Sequence, residues 1–504
     1  MIAVVPPIVP TGGCGARHGG ESRARGGSAG YSEAVSHDRH GLAMTGASAA
    51  AVRHYDRAID ELLHFRAEVD AEANAAVAES PGFPMGNVLV AYLGLLTTEV
   101  EDARTARARF AAFQRRTEGA DLLPRERAHI AAVRALLDGD MLTCGSLLAE
   151  LTAEYPRDAL ALAVGHQIDF FTGDARMLRD RVGGALTAWP EDDPHFGHLL
   201  GMYAFGLEET GHHDRSEEVG LRAVERNPRD VWAIHAVVHT YEEQGRFGAG
   251  LRYLDARLPD WSTGTFFNVH TWWHYCLYAL ESGDLARVLA IYDSALADGQ
   301  SCLELLDAAA LLWRLHLEGS DQHERWRALA DRWPERVAEP FYAFNDMHAV
   351  MSYVGAGRIG EAEKLVAERE AYVARPLPGV TNHGMTLRVG LPVCKAIVAF
   401  GRGDYDAVVD LLAPIRHRIA EFGGSHAQRD AVQRTLLEAA LRAGRHQLAR
   451  VLLSERIVLR PCSPYNWLKQ AALADALGDG AAAAVARVRA GDLASGGGNV
   501  GAVE

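Results

Sequence analysis

From Ala49 onward, apolar residues recur at intervals of three and four along almost the whole chain. This spacing places them on one face of successive helices, and the alternation typical of half-buried strands is missing from the sequence pattern. The pattern therefore predicts an all-α fold. Residues 1–48 are rich in Gly, Ser, Arg and His and lack this periodicity, which predicts a disordered leader. Met44 is an alternative start within that leader, and residues 491–504 are predicted to be a flexible tail.

Glycine, usually followed by Asp or Arg, ends one helical segment after another at intervals of 34 to 46 residues. The tetratricopeptide helix–turn–helix unit has a period of about 34 residues. Pro-Arg-Asp or Asp-Pro precedes several of the next helices, where proline ends a helix and Asp can cap the following one. Helix pairs of this kind cannot bury their apolar faces alone. Residues 49–490 are therefore predicted to form a tetratricopeptide-like helical-repeat solenoid. The glycines that mark the repeats are Gly139, Gly173, Gly211, Gly245, Gly283, Gly319, Gly357, Gly403, Gly444 and Gly478.

Charge and cysteine content narrow the classes of function. A formal net charge of −15 argues against a nucleic-acid partner, since phosphates demand a basic surface. The 6 cysteines are scattered without paired spacing, which favours reduced thiols and a cytoplasmic protein. No window approaches the roughly 20 apolar residues of a membrane span, so no membrane association is expected.

Two His-x-x-x-His pairs are the strongest candidates for chemistry. His235 and His239 lie on one predicted helix, and His270 and His274 lie on a second. Residues four apart share a helical face, so each pair directs both imidazoles the same way. Glu242 follows three residues after His239 on that face. Imidazole and carboxylate groups of this kind could hold a divalent metal such as zinc or iron.

His348 occupies the repeat position of His274, because each lies nine residues before its repeat glycine. The first helices of such an array line its concave surface, so Asn345, Asp346 and His348 are expected to enter the same groove as the histidine pairs. The predicted metal ligands are His235, His239, His274 and His348. The alternative is that these histidines bond to neighbouring helices in a polar core.

Trp273 could line a ligand pocket beside the histidines, because large amphipathic rings favour binding sites. Core packing between repeats is the alternative for this and the other aromatic residues. The pairs Glu208/Glu209 and Glu242/Glu243 stand at helix ends, where solvated faces are the expected surroundings. His426 receives no assignment.

The stretch GGSHAQRD, Gly423 to Asp430, predicts a second binding element. Its glycines and serine open a helix whose free N–H groups can hold an anion or a carboxylate. Arg429 and Asp430 fall in the first turns of that helix, where a guanidinium suits bidentate recognition of such groups. A plain glycine turn followed by an Arg–Asp surface pair is the alternative.

Ordered blocks of sequence resemble the tetratricopeptide repeat protein 38 family. The blocks are GMYAFGLEETG (Gly201–Gly211), NPRDVWAIHAVVH (Asn227–His239), HTWWHYCLYALESGD (His270–Asp284), FNDMH (Phe344–His348), VGLPVCKAIVAF (Val389–Phe400), LLAPIRHRIAEFGGSHAQRD (Leu411–Asp430) and LLSERIVLRP (Leu452–Pro461). The resemblance covers residues 49–475 and implies an all-α, tetratricopeptide-like array. It carries no set of catalytic residues onto this chain.

Two functions of different classes follow from these observations. In the first, the chain is a tetratricopeptide-like binding protein whose histidine-rich concave groove takes a partner peptide or a small ligand. In the second, the same groove is the site of an enzyme that acts on a small molecule through a bound metal or through histidine acid–base chemistry. Fold alone does not decide between them. The sequence leaves the partner and the oligomeric state open.

Overall fold

The computed structural model describes residues 35–495. As predicted, this part of the chain is all-α apart from a two-stranded hairpin, and it forms a tetratricopeptide-like helical-repeat array. The elements are β1 (Ser36–His37), β2 (Ala43–Met44), α1 (Ala49–Leu63), α2 (Val69–Glu79), α3 (Pro84–Leu95), α4 (Val100–Arg116), α5 (Pro124–Leu137), α6 (Met141–Glu154), α7 (Ala159–Thr172), α8 (Ala175–Ala185), α9 (Phe196–Glu209), α10 (His213–Arg226), α11 (Val231–Glu243), α12 (Phe247–Ala256), α13 (Leu258–Trp261), α14 (Asn268–Glu281), α15 (Leu285–Ile291), α16 (Cys302–Leu317), α17 (His323–Ala330), α18 (Ala343–Gly355), α19 (Ile359–Val373), α20 (Thr381–Met385), α21 (Leu391–Gly401), α22 (Tyr405–Leu412), α23 (His426–Arg442), α24 (His446–Leu459), α25 (Pro464–Ala476) and α26 (Gly480–Ala494).

The repeat glycines and the Asp caps set the helix boundaries, as the sequence pattern predicts. The Asp230 side chain accepts the N–H of Ala233 at 2.9 Å and so begins α11. Gly245 follows the end of α11 with a φ of 70°, a left-handed conformation that favours glycine. The same arrangement recurs around α7, where Asp158 is the cap and Gly173 has a φ of 70°. Local sequence therefore fixes where each repeat turns.

The first helix of each central pair lies in the interior. Every residue of α11 is buried, and α18 is buried from Ala343 to Val354. The second helices α10 and α12 bury only one face each. The inner layer of first helices therefore forms the core of the array, and the second helices form its outer layer.

Helix α23 lies inside the curve formed by the first helices. It packs against α11, α16, α21 and α22. The indole Nε1 of Trp313 on α16 donates to Thr435 Oγ1 on α23 at 2.8 Å. Arg314, also on α16, donates to the carbonyl of Ala427 at 2.5 Å. The concave groove expected from the sequence is thus occupied by the chain's own helix in this region.

Two turns in direct backbone contact fix the entry to α23. The φ of Gly173, after α7, is +70°, and a Cβ added there would meet Ala420 O at 1.9 Å. The φ of Gly423, before α23, is +85°, and its added Cβ would meet Phe171 O at 2.5 Å. Only glycine satisfies both the left-handed backbone and the close approach at these positions.

The N-terminal segment differs from the predicted disordered leader within its described part. Residues 35–48 form the β1–β2 hairpin, in which Ser36 pairs with Met44. Asp38 accepts the N–H of His40 at 3.0 Å and lies 3.4 Å from the guanidinium of Arg125 on α5. A chain that began at Met44 would lose these contacts. Paired polar groups, which apolar periodicity does not detect, hold this segment on the array.

The remaining ends of the chain lie outside the described residues. These are residues 1–34 of the predicted leader and residues 496–504 of the predicted tail. Helix α26 runs to Ala494, so the first residues of the predicted tail are helical.

One continuous helix, Thr381–Gly401, is long and apolar enough to cross a membrane by length and composition alone. This helix corrects the prediction that no window of the chain approaches the apolar length of a membrane span. It spans α20, a π-helical segment (Thr386–Gly390) and α21, and it packs against α18 and α19. Of its most apolar window, 61% is buried within the array, as in a core helix.

We expect Gly173→Ala to destabilise the protein more than Gly283→Ala does. Both glycines have positive φ, 70° and 77°, so both variants carry a strain of about 1–2 kcal/mol. Only at Gly173 does the added Cβ meet another backbone, which adds about 1–3 kcal/mol of overpacking. Urea unfolding of the two variants measures the difference. Equal midpoints would show that the contact between the two turns is absent in solution.

Candidate functional site

Four histidines converge where α11 and α14 pack together. His235 and His239 come from α11, and His270 and His274 come from α14. The Nε2 atom of His270 lies 3.2 Å from Nε2 of His235 and 3.2 Å from Nε2 of His274. One nitrogen from each of the four rings lies within 4.8 Å of the others. The two pairs predicted from the sequence therefore form one cluster.

Carboxylates hold the outer nitrogens of two of these rings. Nδ1 of His270 lies 2.7 Å from Asp307 on α16. Nδ1 of His274 lies 2.9 Å from Glu242 on α11. With Nδ1–H donating to a carboxylate, a neutral imidazole presents its Nε2 lone pair to the centre of the cluster. In metalloproteins, a hydrogen bond from the ring nitrogen that faces away from the ion to a carboxylate orients the histidine ligand in this way.

Burial keeps the four imidazoles neutral. Their side chains are between 0% and 5% exposed. Burial lowers the pKa of every one of the four histidines well below its ordinary value, and neighbouring imidazoles lower it further for three of them. Burial also raises the pKa of Glu242 to about 8 and raises that of Asp307.

Aromatic rings enclose the cluster. Trp273 stacks on His270 with ring centroids 5.2 Å apart, and Phe267 lies 5.0 Å from His235. The guanidinium of Arg314 lies over the ring of Trp273, 5.5 Å from the ring centroid. The cluster is therefore an enclosed interior site, and the prediction that these histidines line an open groove is wrong.

The distances between the histidine nitrogens suit a transition-metal ion. Ligand nitrogens about 2.0–2.1 Å from a tetrahedral zinc ion lie about 3.3 Å from one another. The two Nε2 separations of 3.2 Å are close to that value. Imidazole ligands suit zinc, iron, copper and nickel.

His348 does not belong to this cluster, although it was predicted as a metal ligand. It lies two repeats beyond His274, and α16 packs between α14 and α18. Its Nδ1 donates to the carbonyl of Phe344 at 2.8 Å. Side chains at equivalent positions of two repeats come into contact only when the repeats are neighbours. The fourth histidine of the cluster is therefore His270 and not His348.

Asn345 and Asp346 also face other partners. The Asn345 amide donates to the carbonyl of Thr98 at 3.1 Å. Asp346 binds the guanidinium of Arg369 at 2.7 Å. Both residues are buried on α18, but they join it to other helices and not to the histidine cluster.

The predicted anion site at Gly423–Asp430 is filled by a carboxylate of the protein itself. The backbone N–H of His426, at the start of α23, donates to Glu209 at 2.8 Å. The guanidinium of Arg429 binds the same carboxylate at 2.9 Å. Ser425 caps the helix by accepting from Gln428. The chemistry predicted for this helix start is therefore present, with an internal ligand.

Asp430 is the centre of a buried arginine cluster and not half of a surface pair. It lies 2.7 Å from Arg434, 2.6 Å from Arg456 and 3.1 Å from Arg460. Burial opposes ionisation, but the three guanidinium groups outweigh it and hold the pKa of Asp430 well below its ordinary value.

Several acidic residues of the interior were missed. Asp307 was not singled out, and Glu208 and Glu209 were expected to be solvated but are 0% and 6% exposed. The spacing of three glutamates in the sequence could have indicated buried acids at the helix ends. Glu209, Glu243 and Glu281 each stand two residues before a repeat glycine, so they end neighbouring first helices in equivalent positions. A repeated acid at an inner position indicates a repeated interior partner.

A second histidine group was also missed, beneath the N-terminal hairpin. His40, Asp193 and His195 have potential ligand atoms within 4.8 Å of one another. Guanidinium groups already bind two of them, since Arg39 lies 3.2 Å from Nε2 of His195 and Arg157 lies 3.2 Å from Asp193. This group fits a role in docking the hairpin.

No family model matches the chain. Among solved structures, a human IFIT1 dimer with PPP-AAAA is similar with 13% identity and a TM-score of 0.39, over 92% of this chain and 97% of that one. The APC/C hetero-tetramer Cut9-Hcn1 is similar with 11% identity and a TM-score of 0.30, over 88% of this chain and 95% of that one. These likenesses concern helical-repeat architecture and bring no ligand or partner to this chain.

We expect Asp430→Asn to lower the free energy of unfolding by about 3–5 kcal/mol, because it leaves buried guanidinium groups without their shared counter-charge. The matched control is Asp406→Asn, which breaks an exposed pair with Arg445 and should unfold close to wild type. The stabilisation from Asp430 is present above the ordinary carboxyl pKa and is lost as pH falls below it. Urea titrations at neutral and acidic pH measure both effects, and equal unfolding of the two variants at neutral pH would contradict this role.

Proposed function

We propose that this tetratricopeptide-like protein binds one divalent transition-metal ion, zinc or iron, through His235, His239, His270 and His274. The observation that supports this most directly is the placement of Nε2 of His270, 3.2 Å from two other Nε2 atoms. A neutral imidazole has one proton for its two nitrogens, and Asp307 engages Nδ1 of His270. A cation at the centre gives these facing lone pairs a common partner.

The remaining donors support the same assignment. Within the described residues, His239 has no hydrogen-bond partner on either ring nitrogen, and Nδ1 of His235 has none either, although both side chains are buried. Buried polar groups without partners are costly, at about 1–3 kcal/mol each. An ion would engage nitrogen atoms that the protein itself leaves free.

Four protein ligands with a dry aromatic wall are typical of a closed metal site. Such an ion would join α11 to α14, which are first helices of neighbouring repeats. The metal would thereby stabilise the inner layer that α23 packs against. A partner peptide could not reach these histidines in this conformation, since they are between 0% and 5% exposed.

Metal-dependent catalysis on a small molecule is the second candidate function. The observation that favours it is Glu208, a fully buried carboxyl 3.7 Å from Nδ1 of His239. Burial raises its pKa to about 8, as expected for a group that can hold or release a proton near neutral pH.

We further propose membership in the tetratricopeptide repeat protein 38 family and a cytoplasmic location. The blocks of sequence that carry the resemblance include all four histidines of the cluster, which lie on α11 and α14. The five cysteines of the described region, Cys144, Cys276, Cys302, Cys394 and Cys462, are free thiols, which supports a reducing compartment.

We expect the four-histidine cluster to hold about one equivalent of metal per chain when untagged full-length protein is purified without chelator under anaerobic conditions. His270→Ala and His274→Ala should each lose this metal, because each removes an Nε2 donor from the centre of the cluster. Elemental analysis by mass spectrometry measures the content.

The matched control is His348→Ala, which removes a fully buried histidine outside the cluster. This variant should keep the metal. Wild-type protein that stays metal-free after dialysis against excess zinc, and then against ferrous iron, would rule out the proposed centre. Metal lost equally from the His348 variant would indicate general destabilisation and would contradict the assignment of ligands.

A further inference from the structure

We propose a second divalent-cation site, formed by Glu208, Glu209 and His426 and separated from the four-histidine site by the ring of His239. This inference rests on the proposed metal centre, because it extends that centre to two ions. Glu208 and Glu209 end α9, and His426 begins α23. The site therefore forms only because α23 lies inside the array.

The three residues bring their potential ligand atoms within 4.8 Å of one another. Nδ1 of His426 lies 3.5 Å from Oε1 of Glu208 and 3.6 Å from Oε2 of Glu209. A nitrogen and two carboxylates are donors that suit zinc, manganese and ferrous iron.

Glu208 is the feature that requires a partner. Its side chain is 0% exposed, and neither carboxylate oxygen has a hydrogen-bond partner in the part of the chain that the structure describes. The Nδ1 atom of His426, which faces it, also has none. Burying an unpaired carboxylate costs far more than burying a neutral group, so buried carboxyl groups are paired with cations, bind metals or take up a proton. A divalent ion between these groups would satisfy the carboxylate and the imidazole together.

Glu209 is already positioned for this role. It accepts the backbone N–H of His426 at 2.8 Å and the guanidinium of Arg429 at 2.9 Å. A carboxylate has about four lone-pair positions, so these two bonds orient Glu209 and leave acceptor capacity for an ion.

His239 connects the two sites. Its Nδ1 lies 3.7 Å from Oε2 of Glu208, and one of its nitrogens belongs to the four-histidine cluster. Both nitrogens are buried, and neither has a hydrogen-bond partner among residues 35–495. The ring of His239 therefore lies beside both clusters, and as a neutral imidazole it can bind an ion through one nitrogen only.

The two sites differ in their access to solvent. The His426 side chain is 36% exposed, whereas the four-histidine cluster is enclosed. Three protein ligands leave coordination positions open, as in catalytic metal sites, whereas four protein ligands close a structural site. The second ion is thus the one that could exchange with solvent and bind a small ligand.

The competing arrangement is an ion pair without metal. Burial opposes protonation of His426, but Glu209 and Glu208 outweigh it and raise its pKa to about 9. A protonated His426 between two carboxyl groups would bind no ion. The two arrangements predict different metal stoichiometries.

The test is equilibrium dialysis of metal-depleted full-length protein against Zn²⁺, followed by elemental analysis. Wild-type protein should hold about two ions per chain. Glu208→Gln, which keeps the size of the side chain, and His426→Ala, which shortens a partly exposed one, should each hold about one. The control Glu438→Gln changes a buried glutamate of α23 outside both sites and should hold two.

Each outcome separates the two proposals. One ion in the wild type that His270→Ala abolishes would overturn the second site and support the first. Two ions retained by both Glu208→Gln and His426→Ala would also overturn it. Protein that binds no ion would overturn both proposals. Circular dichroism and thermal unfolding of each variant show whether a lost ion reflects a lost ligand or a lost fold, and a folded His426→Ala variant keeps the test valid if Glu208→Gln unfolds.

Discussion

Three buried glutamates at the ends of neighbouring first helices hold the interior of this protein together. Each binds an arginine from the α23–α24 region: Glu209 binds Arg429, Glu281 binds Arg434 and Glu243 binds Arg460. Breaking a buried pair leaves an uncompensated charge and costs about 3–5 kcal/mol. The glutamates therefore fix where α23 lies along α9, α11 and α14, and the rest of the inner architecture depends on that placement.

The position of α23 determines the character of the candidate site. By occupying the concave side, it turns a surface that would be wet in an open array into a dry interior. Gln428 of α23 lies 3.4 Å from Asp307, the carboxylate that holds His270, so the helix also contacts the outer shell of the histidine cluster. The same helix supplies His426 to the second cluster. One internal helix thus separates a closed four-histidine site from a more exposed mixed site.

Much of the fold could be predicted from local sequence, because each repeat is bounded by its own turn and cap. The joining of His235/His239 with His270/His274 was also predictable, since neighbouring first helices must pack. The failure at His348 has a physical reason. Matching positions in alternate repeats are held apart by the intervening helix, here α16, so repeat spacing overestimates how far a cluster extends.

The occupant of the groove could not be recognised from the sequence, because α23 has the polar composition of an exposed helix. Asp430, Arg434 and Glu438 are all buried there, and each is paired with a charged group from another helix. Hydrophobic periodicity identifies helices that bury apolar faces. It does not show that a polar helix is buried when charge pairs hold it in place. In this protein the glutamates that pair with the arginines recur at one position of the repeat, and that recurrence was the sequence feature that could have indicated their burial.

The charge balance beside the histidines gives the remaining argument for metal. Arg434 and Arg460 are engaged by Glu281, Glu243 and Asp430. Within the described residues, Arg314 donates its side-chain hydrogen bonds to backbone carbonyls.

Close to the two clusters, four buried carboxyl groups therefore face few cations: Glu208, Glu209, Glu242 and Asp307. Glu209 has Arg429, whereas Glu242 and Asp307 have imidazole partners and Asp307 also accepts from the amide of Gln428. Glu208 has no hydrogen-bond partner within the described residues. Such an excess is stable only if the carboxyl groups take up protons or if cations bind between the imidazoles. Two divalent ions would satisfy the carboxylates and the free imidazole nitrogens at once, which protons on the carboxyl groups alone would not.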